Sequence, residues 1–303
     1  NQDDWFINAS ELEINERSQR VDAKNANLEF KGFPILFSPL INFSFNDERK
    51  SGFLVPSIGS TSRSGFDTAL PYYFNLSPTS DATLTPRYMG KRGAQISGEY
   101  RYLDSMYRGE TSLELMSNDK ASDTNNRYYA KLKHFHNFNN GFEGGYNIEK
   151  VSDDNYFSDM SSLITVTSQV NLNQEIFLNY AKNDWNAKLL TQKFQNLTTS
   201  SPYERLPSLS INHNKEFLDA SGFTSFETST NFDYTKFERN NDFVGVSANG
   251  SRLVARQSVG FPLERSYGYA NPKIILDLKN YDLEDANTST KALLIPTLAF
   301  DGG

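Results

Sequence analysis

Apolar and polar residues alternate in steps of two along most of this chain. Leu70, Tyr72, Phe74 and Leu76 share one phase, with Asp67, Tyr73 and Asn75 on the other. Ala82, Leu84, Pro86 and Tyr88 oppose Thr83, Thr85 and Arg87, and Tyr100 and Tyr102 oppose Glu99 and Arg101. The same split recurs with Phe142, Tyr146 and Ile148 against Glu143, Asn147 and Glu149, and with Ile274, Leu276 and Leu278 against Lys273, Asp277 and Lys279. A period of two predicts β-strands whose faces meet different surroundings. The segments run to about 8–12 residues, and a tilted strand of about 9–11 residues crosses the hydrocarbon of a bilayer. Tight turns at Met89 to Gly93 and Asn139 to Gly141 contrast with long polar tracts at Ser117 to Arg127 and Ser152 to Ser162. About 13 to 15 strands are expected after Pro39. No repeat of fixed length appears, which disfavours solenoids and propellers.

Residues 1–37 carry the same period in shorter pieces. Trp5, Ile7 and Ala9 alternate with polar neighbours, Leu12 and Ile14 continue on the other phase, and Val21, Ala23, then Ala26, Leu28 and Phe30 repeat the pattern. So short a segment cannot close a core unaided and reads as the end of a larger β-domain. The tract Pro34 to Pro56 marks the hand-over to the long strand series. Its pattern predicts a hairpin around the polar turn Asn46 to Lys50, with Pro39 on one arm and Pro56 on the other. Proline has no N–H for a ladder, so this hairpin is expected to be weakly zipped. At the far end, Leu294 to Gly303 does not read as a closing strand, so the sheet is expected to be an incomplete barrel or one completed from elsewhere.

Composition narrows the class. With 37% hydrophobic residues but 23 Phe and 16 Tyr in 303 residues, the chain suits many two-faced strands and suits a helical bundle badly. No run approaches the roughly 18–20 apolar residues of a membrane helix. A net charge of −7 leaves no basic footprint for nucleic acid. With no cysteine there is no thiolate metal site or disulfide framework in these residues. The first residues, NQDDWFINAS, lack the basic and apolar regions of a signal peptide, as expected of a cytoplasmic chain or of a processed or trimmed piece. His134 and His136 would share one strand face, but two imidazoles without a third ligand make a poor metal site. There is no phosphate loop, nucleophile elbow or HExxH, so neither a cofactor nor catalysis is expected.

Several tracts resemble the LptD family (also called OstA or Imp) of outer-membrane lipopolysaccharide-assembly proteins. They are DWFINA (4–9), AKNANLEFKGFPILFSP (23–39), RKSGFLVPSIG (49–59), LPYYFNLS (70–77), DATLTPRYMGKRG (81–93), GEYRYL (98–103) and VSDDNYFSD (151–159). The motif likeness is specific to about residue 160, and beyond it rests on strand pattern. The resemblance implies an all-β chain: the last strands of a periplasmic β-jellyroll over residues 1–37, then about the first half of an antiparallel transmembrane β-barrel over residues 38–303. It implies lipopolysaccharide transport to the outer leaflet, with acyl chains in the jellyroll groove, sugars in the polar lumen and lateral exit beside the first strand.

On that reading Pro39 and Pro56 form a lateral gate rather than ordinary edge prolines. Trp5, Ile7, Val21, Leu28 and Phe30 are walls of the lipid groove rather than plain core. Glu99, Arg101, Lys131, Lys133, Glu143 and Glu149 are lumen charges, solvated or in contact with sugar phosphates or the plug. Implied partners are lipopolysaccharide, an LptE-type plug lipoprotein, an LptA-type periplasmic bridge and the barrel-assembly machinery. Two alternatives remain: a passive outer-membrane porin or nutrient channel, and a soluble carbohydrate-binding β-protein.

Overall fold

The computed structural model describes residues 5–15, 20–44, 49–161, 169–198, 202–218, 220, 224–239, 249–284 and 291–303. They fall into two compact units, residues 1–104 with 110–129 and residues 105–109 with 130–303. The described secondary structure is strand throughout, except for one short helix.

The first unit opens with a four-stranded antiparallel sheet: β1 (Trp5–Asn8), β2 (Glu11–Asn15), β3 (Arg20–Phe30) and β4 (Phe33–Ser44). β3 is central, with β1 and β2 end to end along one edge and β4 along the other. The change of phase in the sequence has a local cause at Asn25, which sits at φ 47°. Asparagine tolerates this left-handed conformation, and here its side-chain amide donates to Ser10 Oγ at 3.1 Å. The resulting twist buries Val21 and Ala23 of one phase together with Ala26 of the other. The turn into β4 uses Lys31 and Gly32, both at positive φ, which suits a two-residue hairpin.

The remaining strands of this unit are β5 (Gly52–Phe53), β6 (Ser57–Thr61), β7 (Gly65–Ala69), β8 (Tyr72–Ser77), β9 (Ser80–Met89), β10 (Gly93–Leu103) and β11 (Tyr107–Met116), whose first residues belong to the second unit. β5 pairs with β8 at two positions only, and β6 with β7 at five. β9 joins both β7 and β8, then pairs with β10 over an unbroken register from Gly93↔Met89 to Tyr102↔Ser80. The expected Pro39/Pro56 hairpin is not formed: β4 pairs with β3, and β5 with β8. Pro39 is accommodated in β4 because it falls between the pairs Lys24↔Leu40 and Ala26↔Ser38, beside the left-handed Asn25. The middle of the expected turn, residues 45–48, lies outside the described residues.

The second unit takes up β12 (Arg127–Asn139) from residue 130 and continues with β13 (Phe142–Val151), α1 (Tyr156–Met160), β14 (Asn171–Lys182), β15 (Trp185–Asn196), β16 (Glu204–Leu218), β17 (Thr224–Glu238), β18 (Gly250–Gly260), β19 (Leu263–Arg265), β20 (Gly268–Leu283) and β21 (Lys291–Gly302). Neighbours in sequence are neighbours in the sheet, apart from the short β19 beside the β18–β20 ladder. The β12–β13 hairpin turns on Asn139, Asn140 and Gly141, at φ 65°, 52° and 89°. A Cβ on Gly141 would also lie 2.5 Å from the Ala181 carbonyl oxygen, so glycine is required there twice over.

Two expectations change here. Leu294 to Gly303 belongs to a true strand, β21, paired with β20 from Ala270↔Gly302 to Tyr281↔Lys291. Its apolar residues occupy both phases, which hid the alternation. The tract 152–162 is not simply a polar loop, since α1 lies within it and buries Tyr156, Phe157 and Met160.

Candidate transport surface

Each unit carries the same inversion of the usual soluble pattern. In the first, Leu84, Ile96 and Tyr100 are 41–44% exposed on one face of β9 and β10, whereas Asp81 and Gln95 on the other face are only 7% and 5% exposed. In the second, Ile176, Leu178, Ile274, Leu276 and Leu278 are exposed on one face. The opposite face there carries the pairs Lys273–Glu227 at 2.7 Å and Arg252–Asp233 at 2.8 Å. Apolar faces that stay open while charged faces satisfy themselves fit a sheet whose outer side meets lipid. Strand length agrees. Ten residues at about 3.3 Å each, tilted by about 40°, rise about 25 Å, the height of an outer-membrane apolar band.

The connections are unequal in the way such sheets require. At one end of the second unit they are mostly short, at 140–141, 183–184 and 219–223, with 261–267 longer. At the other end they run over 152–170, 197–203, 239–249 and 284–290. In the first unit the segment leaving the small sheet arrives at a short turn, because Arg49 Nη1 donates to the Pro78 carbonyl at 3.3 Å.

The predicted charged residues sort onto the polar face. Glu99 and Arg101 of β10 share it with Asp81, and Arg101 Nε donates to Asp81 Oδ1 at 2.8 Å. Glu99 approaches Arg101 at 3.3 Å. Lys131 lies 4.0 Å from Glu149, which also accepts from Gln169 at 2.8 Å. Lys133 is exposed and Glu143 is half-buried. His134 and His136 sit instead on the apolar phase, stacked on Tyr146 and Phe138 at centroid distances of 5.4 and 4.4 Å. Among the described residues no group of three or more metal-ligating side chains forms.

In the small sheet Ile7 is 53% exposed, and Leu12 and Ile14 are exposed too, while Val21, paired with Ile14, is buried. The backbones of Trp5 and Phe30 pair, as do those of Ile7 and Leu28, but the side chains of Trp5, Leu28 and Phe30 lie outside the described ones. Pro39 is exposed and Pro56 half-buried. Two prolines, Pro56 and Pro71, fall in the opening stretch of the large sheet. Between Phe53↔Tyr72 and Ser57↔Ala69, three residues (Leu54, Val55, Pro56) lie across from two (Leu70, Pro71). That is a bulge in which each strand carries a proline and so lacks a donor.

Two ion clusters escaped the sequence reading. Arg49 Nη2 donates to Asp81 Oδ2, and Arg49 Nε donates to the Tyr73 hydroxyl at 2.8 Å. Farther along, Asp119 Oδ2 accepts from Arg92 at 2.7 Å and from Arg127 at 2.9 Å, with all three side chains buried. Burial pushes the Asp119 carboxyl up, but the Ala121 N–H together with Arg127 and Arg92 outweighs this and holds it below the usual carboxylate range. The only signals for these partners in the sequence were single Arg and Asp residues at turn ends, in a chain that is 22% charged.

A family profile described as "LptD: LPS transport system D" matches residues 125–298. The LPS-assembly protein LptD of Ralstonia nicotianae is 37% identical over 310 residues, covering 99% of this chain and 37% of its own length. The LptD proteins of Nitrosomonas europaea and Thiobacillus denitrificans are 36% and 35% identical, again over 99% of this chain and over 42% and 41% of theirs. This chain therefore spans about two fifths of the length of those curated relatives. Together with the two-faced strands, the profile and these relatives place the chain in the LptD family.

Proposed function

We propose that this chain supplies the end of a periplasmic jellyroll and the first strands of the barrel in an outer-membrane protein that delivers lipopolysaccharide to the outer leaflet. The single observation that carries this reading is the polarity of the strands: open apolar faces on one side and interlocked charges on the other. Acyl chains would travel along the apolar side of the small sheet, past Ile7 and the strand positions of Trp5, Leu28 and Phe30, with the buried Val21 beside Ile14. The sugars would follow the polar face of the long strands. Exit would be sideways at the first strand, where Pro56 and Pro71 weaken the ladder and Pro39 leads in from the small sheet.

The short turns would lie on the periplasmic side and the longer connections outside, which agrees with the segment from the small sheet arriving at a short turn. An LptE-type lipoprotein would sit against Glu99, Arg101, Lys131, Lys133, Glu143 and Glu149. An LptA-type bridge would join the small sheet, and the barrel-assembly machinery would fold the strands. No chemical step or cofactor is required. The test is photocrosslinking in the full-length protein in cells. A crosslinker replacing Ile7 or Leu12 is expected to capture lipopolysaccharide, and one replacing the buried Val21 is not. Capture from none of the exposed apolar positions would overturn the reading.

A further inference from the structure

The start of the first strand of the large sheet is held by few ladder positions and by several side-chain bonds. Beyond the two β5–β8 pairs, the Leu54 N–H reaches the Pro71 carbonyl at 2.9 Å, and then the bulge intervenes. Residues 49–51, by contrast, are tied down at several points. Asn75 donates from its side chain to the Arg49 carbonyl at 2.7 Å and from its backbone N–H to Ser51 Oγ at 2.9 Å. Arg49 grips Tyr73, Asp81 and the Pro78 carbonyl.

The shape of this cluster is asymmetric. The Asp81 side chain is 9% exposed, while those of Arg49 and Arg101 are 44% and 53% exposed. Asp81 also holds two cations, since Arg101 binds it through Nε at 2.8 Å and Nη2 at 3.1 Å. If Arg49 lets go, its guanidinium passes into water and Asp81 keeps Arg101, so no buried charge is orphaned. Breaking a buried pair is costly mainly when a charge is left uncompensated, and here none is.

We propose that Arg49, Tyr73 and Asp81 form a releasable clasp on the first strand, and that Arg101 is the positioning residue that makes release cheap. This rests on the transport reading above, in which the first strand must part from a neighbour for cargo to leave. Arg49 fastens the segment. Arg101 is the standing counter-ion that lets it unfasten. The two arginines therefore act in opposite directions although they touch the same carboxylate.

The experiment uses the full-length protein in its membrane, and folding is checked by heat-modifiable migration. In Arg49→Gln the clasp is lost, so entry of a large antibiotic normally excluded by the outer membrane is expected to rise several-fold. In Arg101→Gln release would strand Asp81, so antibiotic entry is expected to stay at the wild-type level while lipopolysaccharide delivery falls several-fold. In the pair Ser51→Cys with Asn75→Cys, oxidation is expected to stop delivery and reduction to restore it. Equal leakage in both arginine variants, or wild-type delivery by the oxidised pair, would overturn the clasp. If the unmodified protein delivers no lipopolysaccharide, the transport reading fails, and the antibiotic arm still tests the clasp.

Discussion

The opening strand of the large sheet and the β14–β15 hairpin are held in different ways. β14 and β15 pair without interruption from Asn171↔Asn196 to Lys182↔Trp185. The opening strand is split into pieces of two and five ladder positions around a proline bulge. The first unit also carries buried or half-buried ion clusters on Asp81, Asp119 and Asp67, the last gripped by Arg87 through two bonds at 2.6 and 2.8 Å. The second unit has long ladders, and its described residues include looser or more exposed pairs such as Arg256–Asp277 at 3.6 Å. A ladder is cooperative and parts with difficulty, whereas a side-chain cluster can exchange partners one at a time. On the transport reading proposed above, the movable elements would lie at the start of the large sheet.

The largest effect should come from removing the carboxylate of the most buried cluster. Asp119→Ala leaves Arg92 and Arg127 buried without their anion, a loss of about 3–5 kcal/mol. It is expected to expose residues 117–126 to protease in an otherwise folded protein. Next, Leu178→Arg on the apolar face of β14 should cost about 2–4 kcal/mol if that face meets lipid. The heat-modifiable band of the full-length protein should then be lost. An unchanged band would mean that the face is not in the bilayer.

Acid should affect the first unit's cluster in a defined window. Because the folded Asp119 carboxyl lies below its ordinary value, it contributes stability above the unfolded pKa of about 3.9 and loses it as the pH falls through the lower folded value. Protease resistance of residues 117–126 is therefore expected to be the same at neutral and mildly acidic pH and to fail only below about pH 3.9. Failure well above that would mean that another group holds the loop.

The sequence made the two-faced strands legible because a period of two survives any uncertainty in strand ends. The polar phase of Glu99, Arg101, Lys131 and Glu149 followed from the same count. The phase change between Ala23 and Ala26 was visible as a break, but its cause, a left-handed Asn25, was not, since asparagine is common in this chain. β21 was missed because Leu293, Leu294 and Ile295 are apolar on both phases. Proximity in sequence suggested a hairpin with Pro39 and Pro56 on its arms, whereas pairing sets β5 against β8 and β6 against β7. Asp81 and Asp119 could not be singled out, since ion partners 20 or more residues apart leave no periodic trace. The quoted motifs were densest before residue 160, whereas the family profile matches residues 125–298. Much of the later likeness lies in strand pattern rather than in short words.

The smallest expected effect bears most directly on the comparison. Pro56→Thr and Pro71→Thr each restore an N–H within the bulge, and a net hydrogen bond contributes about 0.5–1.5 kcal/mol. The bulge still sets three residues against two, so a single substitution cannot turn the opening strand into a copy of β14. Each variant should fold as well as the wild type and deliver lipopolysaccharide more slowly, and the double variant should be slower than either. Combining Pro56→Thr with Arg49→Gln should offset the antibiotic leak of the latter, because the ladder would then take over part of the work of the clasp. If the leak persists undiminished, ladder and clasp do not act on the same motion, and the weakness of the opening strand lies elsewhere than at its prolines.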